Sequence, residues 1–164
     1  MSHPPPSKEQ LLIAEVLGVS IAEDTYNVAA ARLFDAVASA VGAKSARPSS
    51  DRQRAFADSI GLNVSRDSMR VASAKIRDAL LAKNQRAIAE MNLQPGDKVV
   101  RLDQREFDGE GALKKEFVVS SIGSNGRVFF KGSNCQGEWP TKLRKISGLD
   151  LPPSSRTKVK EGKP

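Results

Sequence analysis

At 164 residues, 39% of them apolar, the chain is long enough for one domain or two small ones, and with six Phe, one Trp and one Tyr much of its core falls to Ala, Val, Leu and Ile. No apolar run reaches the roughly 18 residues of a membrane span, the N-terminal MSHPPPSKEQ lacks the pattern of a secretory signal, and Cys135 has no second cysteine to pair with. The expected compartment is the cytoplasm (nucleoid or nucleus if DNA-bound), no membrane contact is expected, and the net charge of +7 favours a polyanionic partner.

Residues 1–7, with three consecutive prolines, are expected to be a disordered or polyproline-like leader, and His3, the only histidine, an inert tail residue. From Lys8 the spacing of Ile13, Ala14 and Leu17 predicts a helix closed by Gly18 as a left-handed cap. Val19 and Ile21 alternate as in a short extended bridge, and Asp24 and Thr25 are N-cap candidates. Ala29, Leu33, Ala36, Val37 and Val41 then form the inward stripe of a second helix ended by Gly42. These elements occupy residues 8–43, and residues 44–50 read as a linker.

The same plan recurs in residues 51–94. A shift of 43 positions lays residues 8–37 on 51–80 without a gap, and nine of the 30 pairs are identical, where average usage gives about two. Phe56, Ala57 and Ile60 replace Ile13, Ala14 and Leu17, and Gly61 matches Gly18. Leu62 and Val64 match the bridge, Asp67 and Ser68 match the caps, and Ala72, Ile76, Ala79 and Leu80 continue the stripe. A tandem duplication is the expectation, with two unrelated helical hairpins as the alternative. The last helix should extend through Ala87 and Met91 and stop before Pro95. The copies differ in charge: residues 1–44 carry a net −2 and residues 45–95 a net +4.

At Leu93 the period changes. A Pro-Gly turn leads into a strand through Val99, Val100 and Leu102, and EFVVSSI is joined to RVFFKG by Ser124-Asn125-Gly126 as a tight hairpin, Asn-Gly being the signal. EWPTKLRKI closes the pattern as a last segment. Four or five short strands in residues 95–146 point to a small curled barrel, and residues 147–164 read as a disordered basic tail. The expected fold class is α+β: N-terminal all-α tandem helical hairpins followed by a small barrel.

The succession of helix, Gly-hydrophobic bridge, small polar cap and helix resembles the helix-extension-helix group of SAP and LEM modules, over about 30 residues per copy. In SAP modules the bridge and the start of the second helix approach the DNA backbone. The resemblance therefore implies contacts from Asn63, Ser65, Arg66, Ser68 and Arg70, and DNA rather than RNA as the favoured polymer. The chain departs from the SAP pattern in lacking its leucine-rich second helix and its Gly-Lys pair. Farther on, PGDKVV, the Asn-Gly hairpin and WPTKLRKI resemble an SH3-like barrel of the KOW or Tudor kind, which implies RNA, DNA, methylated peptides or proteins as partners. An aromatic cage for a methylated side chain would have to come from Phe107, Phe117, Phe129, Phe130 and Trp139, of which Phe117 and Phe129 are expected to fill the barrel.

Unpaired N–H groups at a helix start attract phosphate, and flanking arginines strengthen the attraction. The second copy places Ser65, Arg66 and Ser68 there, with Arg70 and Arg77 on one face of the helix that follows and Lys75 and Arg86 on another. The first copy has Ala22, Glu23, Asn27 and Phe34 in place of Ser65, Arg66, Arg70 and Arg77. Two readings stay open: a phosphate-binding face, or a solvated face whose arginines pair with Asp67 or Asp78. In the barrel, Lys98, Arg101, Arg127, Lys131, Lys142, Arg144 and Lys145 make a second basic set. Trp139 or Phe130 serves there either as a stacking platform or, for Trp139 the favoured reading, as core. The tail cations Arg156, Lys158, Lys160 and Lys163 add salt-sensitive attraction.

Catalytic constellations are scarce. One tail histidine supports neither a nucleophile–base pair nor a zinc site, Cys135 has no base, and Asp103, Glu106, Asp108 and Glu110 match no metal loop. No cofactor is expected. The expected function is non-enzymatic nucleic-acid binding, mainly by phosphate contacts from the second copy, with the barrel adding affinity or a partner site. The alternative is a protein-interaction adaptor that uses the acidic first copy, through Tyr26 and Phe34, and the barrel.

Overall fold

The computed structural model describes residues 3–43, 46–102, 116–132 and 136–146; Cys135, Phe107, the acidic loop around Asp108 and the tail cations lie outside them. The fold is α+β. Helices α1 (Lys8–Leu17), α2 (Tyr26–Ala40), α3 (Asp51–Ser59) and α4 (Met69–Glu90) precede strands β1 (Lys98–Arg101), β2 (Glu116–Ile122), β3 (Val128–Phe130), β4 (Gly137–Glu138) and β5 (Leu143–Lys145). Two compact units divide between Ala87 and Ile88. This is earlier than the sequence boundary at 94/95, because Ile88, Met91 and Leu93 pack with the strand residues.

In the first unit, α1 and α3 start identically. The Ser7 Oγ accepts from the Gln10 backbone N–H (3.2 Å) and the Gln10 Oε1 accepts from that of Ser7 (2.9 Å). Ser50 and Gln53 repeat the box at 3.2 and 3.0 Å, which satisfies orphan donors at each helix start. Gly18 and Gly61 follow these helices with φ of 65° and 76°, the left-handed region that a side chain disfavours. Thr25 and Ser68 begin α2 and α4 by accepting from the N–H of Val28 and Val71, both at 3.2 Å. Asp24 and Asp67, offered as caps by the sequence, instead bind Arg32 and Lys75, both at 2.7 Å.

Ala14, Ile21, Ala29 and Leu33 form one small core, and Ala57, Val64 and Ala72 another. Val28, Val71 and Ala74, with Ala31 against them, make a third between α2 and α4. Because the helices approach over alanines, larger neighbours are left outside. Ile13, Phe56, Val37 and Val41, expected inside, are all exposed. The leader is also held. The Pro4 carbonyl accepts from the Tyr26 N–H at 2.8 Å, and His3 Nε2 lies 2.8 Å from the Asp78 carbonyl oxygen, so His3 is a packed residue. In the linker the Arg47 carbonyl accepts from the Met69 N–H at 2.8 Å, and the buried Ser49 hydroxyl donates to the Val64 carbonyl at 2.9 Å.

The second unit is a five-stranded antiparallel sheet in the order β4-β3-β2-β1-β5, so the last strand returns beside the first. Its core is Leu93, Val99, Val119, Val128, Phe130 and Leu143. Pro95 and Gly96 form the entering turn: the Asp97 N–H donates to the Gln94 carbonyl at 3.1 Å with Gly96 at φ 98°, as a type II turn requires. The Lys145 ammonium, 2.8 Å from Asp97, holds that carboxyl below the usual carboxylate range. The Ser-Asn-Gly hairpin joins β2 to β3 where the sequence placed it. Its loop is Ser124, Asn125 and Gly126, with Gly126 donating to the Gly123 carbonyl (2.8 Å) and only Gly126 left-handed, a type I turn followed by a bulge. Within EWPTKLRKI, Pro140 opens a 3-10 turn (Pro140–Lys142) that separates β4 from β5.

Candidate nucleic-acid interface

The helical residues singled out by sequence come together, but largely to hold the unit itself. At the bridge the Asn63 Oδ1 accepts from the Ser65 N–H (3.0 Å) and hydroxyl (2.8 Å), which shapes the turn. The Ser68 hydroxyl donates to Asp35 Oδ2, and Arg70 Nη1 donates to Asp35 Oδ1 at 2.8 Å with its guanidinium 4.1 Å over the Phe34 ring. Lys75 is held by Asp67. The start of α4, where sequence placed a phosphate, is thus occupied by the carboxylate of Asp35, and Arg70 pairs with that residue rather than with Asp67 or Asp78.

The start of α2 is filled the same way. Asp78 accepts from the Thr25 hydroxyl and from Asn27 Nδ2 at 3.0 Å. Thr25 and Ser68, Asn27 and Arg70, and Asp35 and Asp78 are each 43 positions apart, so the two clasps are reciprocal. Sequence reasoning gave Asp35 no role and offered Asp78 only as an ion partner of the arginines, although their identity in the 43-residue alignment was the signal. Arg66 remains exposed beside a shallow pocket lined by Val19, Arg32, Asp35, Asp67, Ser68 and Val71. Arg77 is exposed in a separate open groove between α2 and α4, of about 660 Å³, lined by Ala30, Ala31, Phe34, Met69, Arg70 and Ala74 among others.

In the sheet, three of the seven expected cations are committed elsewhere. Lys98 pairs with Glu116 at 3.0 Å, Lys145 with Asp97, and Arg101 lies 5.1 and 5.7 Å from the Phe117 and Phe130 rings, with Glu138 at 3.8 Å. Phe130 is core, stacked on Phe117 at 4.6 Å, which removes it as a stacking platform. Phe129, expected inside, faces the other way, because alternate residues of a strand point to opposite faces.

Arg127, Phe129 and Lys131 therefore follow one another along the outer side of β3. Opposite Phe129 stands Gly137, where a Cβ would lie 3.0 Å from the Phe129 ring and 2.5 Å from the Val128 carbonyl oxygen. Beyond Gly137 comes Trp139, which is 37% exposed and no part of the core. The Arg127 guanidinium donates to the Gly137 carbonyl at 3.2 Å and lies 5.8 Å from the Phe129 ring and 6.0 Å from that of Trp139. Lys131 is exposed after β3, Lys142 is exposed in the 3-10 turn, and Arg144 is exposed on β5; among the described residues Lys131 and Arg144 form no ion pair. The result is a stripe of two half-open aromatic rings and two cations.

No protein-family model, curated protein or solved structure matches the chain. Among the described residues no helix is long and apolar enough to cross a membrane, and no group of three or more His, Cys, Asp or Glu converges as a metal site requires.

Proposed function

We propose that the chain is a non-enzymatic nucleic-acid-binding protein whose principal contact is the Arg127–Phe129–Lys131–Trp139 stripe. Aromatic faces flanked by cations suit unpaired bases on a phosphate backbone, since stacking accepts any base and the cations follow the charge. The observation that carries the reading is the exposure of Trp139 beside Phe129, with Arg127 within about 6 Å of both rings. Arg66, exposed at the bridge, adds a phosphate contact from the helical unit, while Ser68, Arg70 and Lys75 serve the clasp and its salt bridges. The bonds repeated at 43 residues support two tandem copies of one helix-extension-helix unit. The return of β5 beside β1 supports a small SH3-like barrel.

The test is a low-salt binding panel of single- and double-stranded DNA and RNA with the full chain. Single strands should bind best, affinity should fall steeply with salt, and Trp139→Ala should weaken binding by about 1–3 kcal/mol. Failure to bind any polymer at low salt refutes the proposal. A second reading, a protein-interaction adaptor, rests on the open groove between α2 and α4; partner capture that survives nuclease treatment, with no gel shift at low salt, would favour it.

A further inference from the structure

Among the described residues, two unpartnered apolar surfaces fit each other in kind. One is the outer side of α1, where Leu12, Ile13 and Val16 are 63%, 46% and 86% exposed. At helical spacing these three share a face, with Glu9 in line one turn earlier and Glu15 and Lys8 together at one flank. In α3 the same positions are Ala55, Phe56 and Ser59, with Arg52 and Asp58 for the two glutamates, so the acidic apolar stripe belongs to α1 alone. The other surface is the groove between α2 and α4. Its floor is built of small alanines that allow another helix to come close, Phe34 and Met69 stand 57% and 39% exposed at its walls, and its charged lining residues are Arg70 and Arg77, with no acidic side chain.

We infer that α1 of one molecule docks in the α2–α4 groove of a second copy of this chain. Leu12 and Val16 lie against the alanine floor, and the glutamates meet the arginines. Arg70 is already shared with Asp35, so Arg77 makes the main electrostatic contact. The lengths agree: Arg70 and Arg77 are about 10 Å apart along α4 and Glu9 and Glu15 about 9 Å apart along α1, at 1.5 Å per residue. Donor and acceptor are different surfaces, so the contact is head-to-tail and each docked pair keeps one free α1 and one free groove. The inference stands apart from nucleic-acid binding.

Sedimentation of the nucleic-acid-free full chain tests it. Association should rise with concentration, weaken with salt, and be lost in Val16→Asp and in Phe34→Asp, each altering an exposed side chain. An equimolar mixture of these two variants should form a dimer and nothing larger, since the mixture retains one intact α1 and one intact groove. Glu9→Arg and Arg77→Glu, each weakening association about tenfold or more alone, should restore it when mixed. A wild-type chain that stays monomeric to hundreds of micromolar overturns the inference. So does association that persists in either aspartate variant, or a variant mixture that yields no dimer while circular dichroism shows both folded.

Discussion

The two helix pairs of the first unit solve one problem with different residues. At the start of α2 the buried Asp78 is held by Thr25, Asn27 and His3; at the start of α4 the more open Asp35 is held by Ser68 and Arg70. Arg70 for Asn27 is the kind of difference that suggests a gained function, yet both side chains donate to a carboxylate of the opposite pair. A charge that differs between copies is therefore weak evidence of a ligand when the position does the same structural work in both.

Three substitutions separate the clasps. Asp78→Ala should be the most damaging, because Asp78 is 4% exposed and its loss leaves the partly buried donors of Thr25 and Asn27 without their acceptor; about 3 kcal/mol is expected from denaturant unfolding. Asp35→Ala should cost less, roughly 1–2 kcal/mol, since the Arg70 it frees is half exposed and regains water. Equal losses would show the two clasps to be equivalent in strength. Arg70→Asn, which writes the first clasp into the second, should change stability by less than about 1 kcal/mol and leave the salt dependence of nucleic-acid binding unaltered. A reduced salt slope would return Arg70 to the phosphate-binding set.

The sheet unit offers a still smaller effect. The folded pKa of Asp97 is depressed by Lys145, so the pair contributes stability above the carboxyl's unfolded pKa and loses it as pH falls through the folded one. Asp97→Asn should flatten the acid limb of the unfolding curve by under about 1 kcal/mol, the pair being partly exposed. An unchanged acid limb would assign the acid sensitivity to other carboxylates.

Much of the helical unit was legible because a duplicated sequence reports its own constraints. Gln10, Ala14, Gly18, Asp24, Val28 and Ala31 recur 43 residues later, and the two members of each pair play the same structural part, as box, packed contact, left-handed cap, salt bridge or inter-pair core. What that pattern hid was partnership across copies. Asp35 and Asp78 look like ordinary solvated positions until tertiary packing brings each to the other copy's helix start. Helical spacing also misplaced Ile13 and Phe56, because the alanine beside each takes the buried position. In the sheet, alternation alone did not decide which of Phe129 and Phe130 faces in. The register of β2 against β3 decides it, and with it the exposed stripe.

Trp139 is the only tryptophan in the chain, so its fluorescence reports the proposed contact without a label. Titrating the full chain with a single-stranded oligonucleotide at low salt should quench the emission in step with binding, as a base stacks on the indole, and added salt should restore it. Binding that leaves the Trp139 emission unchanged would contradict the stripe as the site of contact.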